Sequence, residues 1–223
     1  MLRVRRHAAG EVQEPFTLAQ ERRARQQFQR SATTLMQSCR VRFPEIRMRR
    51  SLEHWDLPLF PRVRAQRAVA MLQRLSLISP PRVFAAVLRT LWSGWCSARR
   101  FGRRSRCIFC GMEDADSLEH VTACRVLANF GHDFLRLPYH ALPGQRRLAF
   151  LFLEPASQLA DETLLLGAIR VTAAYHVHCR FRRNALVHKG REWARRALEQ
   201  RAREAVLGHP RAMTIFDARW LPR

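Results

Sequence analysis

Lysine is nearly missing from this sequence. Of its 40 basic residues one, Lys189, is a lysine, and the acids number only 18, which leaves a formal charge of +22. Also missing are a Gly-rich phosphate loop, an Asp-Asp pair, and a combination of paired acids and lysine in nuclease spacing. A Ser-His-Asp grouping cannot be singled out either. Six cysteines in 223 residues are too few for a disulfide scaffold. No apolar run is long enough to span a bilayer, because the most apolar stretch, Leu164–Cys179, is cut by Arg170, His176 and His178. No internal repeat and no long low-complexity tract is found. A signal peptide is not expected, since no apolar run follows the charges of Met1–Arg6; Glu11 and Glu14 count against an organelle transit peptide.

What is present is apolar content and positive charge. Hydrophobic residues make up 47% of the chain, enough for a real core in one domain. A charge so far from zero repels itself unless a polyanion screens it, so nucleic acid is the first partner class to consider. Arginine, with its planar fork, suits phosphate recognition and stacking better than lysine. A GC-rich coding sequence competes as the cause of the arginine skew, although it does not remove the charge.

The pattern along the chain predicts a mainly α fold, a helical bundle with an inserted Cys3His zinc-knuckle-like module. Residues 1–60 read as a basic, partly disordered arm, with Thr17 and Gln20 as a capping pair before a helix near 18–38. Residues 61–207 read as the helical domain, with the module at 95–130, and 208–223 as a tail. Pro61 opens a helix with Val63, Val69, Leu72 and Leu75 on one face; Pro80-Pro81 opens a second that ends near Gly94, and the two are expected to pair. Asp161 is placed to cap a long helix running towards His188, and a last helix ends near Leu207. Strands, if any, are short and near the module.

The chemistry is concentrated in Cys107-Ile-Phe-Cys110-Gly111…Ser117-Leu-Glu-His120-Val-Thr-Ala-Cys124, with spacing C-x2-C-x9-H-x3-C. Two cysteines three apart fold a tight turn around one ion, and Gly111 follows where the backbone must turn. Ser117 can cap a helix on which His120 and Cys124, four apart, share a face. Three sulfurs and one imidazole are a common structural zinc set, and four protein ligands leave no position for a catalytic water. Two buried thiols and an ordinary helical histidine are the alternative. Glu113, Asp114, Asp116 and Glu119 read as loop and first-turn carboxylates that favour the helix N-terminus.

Around the cluster stand Arg99, Arg100, Arg103, Arg104, Arg106 and Arg125, interleaved with Trp92, Trp95, Phe101 and Phe109. Arginines for phosphates and aromatic faces for bases together suit single-stranded nucleic acid. Core packing competes for the aromatics, most strongly for Trp92. A second metal site on His176, His178 and Cys179 is not expected, because positions two apart do not share a helix face.

Trp95-Cys-Ser-Ala-Arg-Arg-Phe, the Cys107–Gly111 turn and Asp116-Ser-Leu-Glu-His120-Val-Thr-Ala-Cys124 together resemble the cysteine–histidine zinc module downstream of the polymerase in non-LTR retrotransposon reverse transcriptases. The run Ala173-Ala-Tyr-His…Arg183-Asn184-Ala-Leu-Val-His188 is similar to the helical stretch after that module, so the likeness covers about residues 60–190. The resemblance implies the C-terminal piece of such a polyprotein, or a decayed or domesticated copy. It also implies Cys107, Cys110, His120 and Cys124 as ligands, a grip on RNA or DNA, and nuclear residence, with the cytoplasm as alternative. With no polymerase or nuclease motif, no enzyme activity is expected; the C-terminal tail offers only Asp217. The other reading is a zinc-stapled, Arg-rich structural or interaction protein of a ribonucleoprotein; an enzyme fragment that still does chemistry comes third.

Overall fold

The computed structural model describes residues 45–53, 57, 60–154, 159–182, 190–207, 210 and 212–215. These belong to one compact unit, Phe43–Arg223. The helix expected near 18–38, His188 and most of the tail lie outside the described residues, as do Arg183–His188 of the resemblance.

Among the described residues the chain forms α1 Glu45–Glu53, α2 Pro61–Ile78, α3 Pro81–Leu91, α4 Leu118–Ala123, α5 Arg125–Asp133, α6 Pro143–Phe150, α7 Asp161–Arg182 and α8 Arg191–Val206, and residues 210 and 212–215 of the expected tail are helical as well, with Ala212 buried. A 3-10 turn occupies Arg99–Phe101, and no strand occurs among the described residues. The protein is a helical bundle carrying a Cys3His cluster. The expected arm differs at its end: α1 lies before residue 60 yet packs on α2, burying Met48 and Leu52 in the core.

Helix α7 is the axis of the bundle, touched by α2, α3, α5, α6 and α8. Its sequence explains this: Leu164, Leu165, Leu166, Ala168, Ile169, Val171, Ala173, Ala174 and Val177 lie on all sides and are all buried. A helix apolar all round must be enclosed. The α2–α3 hairpin forms as expected, with proline at the first turn of each helix, where no backbone N–H is needed.

Arginines fasten the helices as well as charging them. Arg74 Nε donates to Asp161 Oδ1 at 2.7 Å, joining α2 to the start of α7. Asp161 is thus the first residue of α7 and an ion-pair partner rather than its expected cap. Arg67 donates to the Leu153 carbonyl at 2.9 Å, and Arg64 to those of Leu52 and Leu57. Arg170 sits inside the bundle, donating to the Ala149 carbonyl at 3.0 Å with its guanidinium over Phe150. Burial pushes its pKa down to about 10, so it stays charged at neutral pH.

Helix α8 docks on α7 through Ala194, Leu198, Ala202, Ala205 and Val206, all buried. Leu198→Ala should therefore lower unfolding free energy in urea by about 3 kcal/mol. A cost under about 1 kcal/mol would mean that α8 is not docked in solution.

Candidate metal centre

Trp95 anchors the chain as it leaves the α2–α3 hairpin. It is fully buried, donates from Nε1 to Thr90 Oγ1 at 2.8 Å, and packs against the rings of Tyr175 and His178 on α7. The backbone then makes the 3-10 turn, which closes at Gly102 with φ +63°, Arg103 N–H donating to the Ala98 carbonyl. Ser105–Cys107 and Met112–Asp116 run back to back, held by Cys107 N–H to the Met112 carbonyl at 2.9 Å and Asp116 N–H to the Ser105 carbonyl at 3.0 Å. The Cys107–Gly111 turn lies between them. Gly111 N–H donates to the Cys107 carbonyl at 2.8 Å with φ +77°, the left-handed conformation expected of a glycine there.

The second pair of donors comes from α4. Ser117 Oγ accepts from the His120 N–H at 3.1 Å, the expected N-cap. Cys124 does not continue the helix. It ends α4 and immediately precedes α5, in an extended conformation (φ −60°, ψ 123°), so its sulfur is delivered from the joint of two helices.

The sequence-predicted quartet comes together. One donor atom from each of Cys107, Cys110, His120 and Cys124 lies within 4.8 Å of all the others, and Cys110 Sγ is 3.2 Å from His120 Nε2. Cys107 and Cys124 are buried, whereas Cys110 and His120 are half-buried. This group can hold one metal ion. The crowding shows in the proton affinities. Hydrogen bonds from Cys110 and Cys124, aided by burial, push the Cys107 thiol far up, while hydrogen bonds from Cys107, Cys124 and His120 draw Cys110 far down. The same contacts, Cys110 first and Cys124 second, push His120 up to about 9 against desolvation. A bound cation would replace these protons and balance the sulfurs.

The carboxylates divide differently from expectation. Glu113 and Asp114 pair with Arg106 at 2.5 Å and Arg104 at 3.5 Å, so they brace the exposed loop rather than the helix terminus. Asp116, buried, accepts from the Ala98 N–H at 2.6 Å and from His178 Nε2 at 3.0 Å. It thereby ties the knuckle loop to the centre of α7. Sequence reasoning missed this pair; the only signal was a histidine within the apolar run of α7. Burial opposes charge on His178, but Asp116 and Cys179 together outweigh it and the pKa lies above its ordinary value.

The predicted nucleic-acid residues separate into two groups. Arg99, Arg100, Phe101, Arg103, Arg104, Arg106 and Arg125 are exposed. Phe109 is wholly buried in the core and has no face for a base, because the Cys107–Gly111 turn directs it inward beneath the cluster. Among the tryptophans, Trp95 is fully buried core, while Trp92 is half-buried, packing against the core as expected and also lining a groove of about 550 Å³ with Arg50, Arg99 and Arg100. No described helix is long and apolar enough to cross a membrane. No family model, curated protein or solved structure matches the chain.

Two outcomes are expected. Asp116→Ala should cost about 3 kcal/mol, since it removes the buried acceptor of both the Ala98 N–H and the His178 imidazole. The pair contributes fully below the unfolded imidazole pKa of about 6.5 and loses its contribution as pH rises through the raised folded value. The stability gap between wild type and variant in urea should therefore narrow as pH rises from about 6.5 through the raised folded value. Metal affinity should also weaken on acidification from about pH 9, by about tenfold per pH unit for the His120 proton alone, as competition with a chromophoric chelator would read.

Proposed function

We propose that this chain is a nucleic-acid-binding module stapled by one structural zinc ion on Cys107, Cys110, His120 and Cys124. The observation that carries this reading is the convergence of three sulfurs and one imidazole nitrogen directly beneath a loop of exposed arginines. Three sulfurs favour a borderline-soft cation over magnesium or calcium, and zinc accepts the tetrahedral Cys3His set without preference from d-electrons. Its role would be to fix the loop, since four protein ligands fill the shell.

Above the staple, Arg99 and Arg100 border the groove that also exposes part of Trp92, and Phe101 is 56% exposed beside them. Cations for phosphates next to aromatic faces for bases support a sequence-tolerant grip on a single strand. Arg103 has no side-chain partner among the described residues and is available for a phosphate. The resemblance to the zinc module of non-LTR retrotransposon reverse transcriptases points the same way. On that reading the chain derives from such a polyprotein and works in the nucleus. Polymerase-coding sequence just upstream of this reading frame would support the ancestry, and unrelated sequence there would argue against it.

Elemental analysis should find one zinc per chain in the wild type and a loss of metal in Cys110→Ser; unchanged zinc would mean that the ligands are others. Affinity for single-stranded RNA should fall by about fiftyfold between about 50 and 200 mM salt if four phosphates are gripped. A flat response would remove the nucleic-acid reading. A protein partner that survives nuclease treatment in a pull-down would then favour an interaction protein of a ribonucleoprotein.

A further inference from the structure

A second groove, of about 840 Å³, opens between α5 and α8 and reaches Cys110. One wall is Arg125, Asn129 and Asp133, four residues apart along α5; the other is Arg191, Arg195, Glu199 and Arg203 along α8. Arg136 and Glu192 complete the charged lining. The floor is Phe130 and Phe134, buried and stacked on each other with ring centroids 5.4 Å apart, so no aromatic face is offered to a base.

The arginines here are in two states. Arg195 is braced by Glu192 at 3.1 Å and Glu199 at 3.4 Å, and Arg203 lies over the Phe134 ring. Arg125 and Arg191 are exposed and have no partner among the described residues. Two free guanidinium groups facing one trench, beside braced ones whose orientation is already set, form a template for an anion with repeated charges. The buried floor and mixed-charge walls do not suit an apolar peptide.

We propose that the α5–α8 groove is a second phosphate track, in which Arg125 and Arg191 grip the sugar–phosphate backbone of single-stranded nucleic acid without stacking its bases. The track rests on the nucleic-acid reading above but uses a different set of arginines. One strand would thus be held by stacking and charge at the Trp92 groove and by charge alone at this one. Bases crossing the α5–α8 groove would remain unread.

The test is fluorescence anisotropy of the full zinc-loaded chain with a labelled single-stranded oligonucleotide of about 16 nucleotides, across a salt series. Arg125→Ser/Arg191→Ser should reduce the slope of log K against log salt by about 1.4, two phosphates at about 0.7 each, and weaken binding at low salt at least about tenfold. Arg125→Lys/Arg191→Lys should recover most of the slope, because charge rather than fork geometry carries it. Zinc content and melting temperature should match wild type, both side chains being exposed. An unchanged slope in the serine variant, with a reduced slope in Arg99→Ser/Arg100→Ser, would overturn the track and leave the first groove standing. The converse would support the track and remove the first groove. No binding by the wild type would overturn both. Loss of binding to anionic phosphatidylserine vesicles, with oligonucleotide binding intact, would overturn the track in favour of lipid headgroups.

Discussion

The segment from Ala98 to Asp116 anchors itself in the core through Phe109 and Ala115 but carries five exposed arginines, so directed bonds must fix the shape of the rest. They come from two sides. Below, four donor atoms lie within 4.8 Å of one another, an arrangement that can hold one metal ion. Above, the Asp116 carboxylate takes the Ala98 N–H and the His178 imidazole together, joining both ends of the loop to the most enclosed helix of the bundle. Without either, surface ion pairs such as Arg104–Asp114 and Arg106–Glu113 would be left to hold the loop's like charges in register.

Excess positive charge is spent in three ways here. Arg64, Arg67, Arg74 and Arg170 point into the molecule and saturate carbonyls or a carboxylate that the helix junctions would otherwise leave bare. Arg104, Arg106, Arg195, Arg196 and Arg201 pair with surface acids, where each ion pair adds little stability but limits where the guanidinium can go. Among the described residues, exposed arginines without a side-chain partner include Arg103 beside the Cys3His cluster, Arg125 on α5 and Arg191 on α8.

Much of this was legible in the sequence. The proline-led hairpin, the Ser117 cap and the ligand quartet follow from local chemistry, since each depends on residues within a few positions of one another. Phe109 was not legible: it neighbours arginines, and only the direction of the backbone decides whether its ring faces the core. Asp116 and His178 lie 62 positions apart, so their pairing is purely tertiary. The α5–α8 groove escaped for the same reason, although the four-residue spacings Arg125–Asn129–Asp133 and Arg191–Arg195–Glu199 were visible as stripes. A stripe becomes a wall only when a second helix stands opposite.

Cys124 caps the end of one helix and the start of the next. A sulfur drawn inward at that joint constrains two helix axes at once, and the second of them forms one side of the α5–α8 trench. An ion held by that one atom would thus bear on the spacing of two helices some distance away, in the way that a tuning peg sets the pitch of a string.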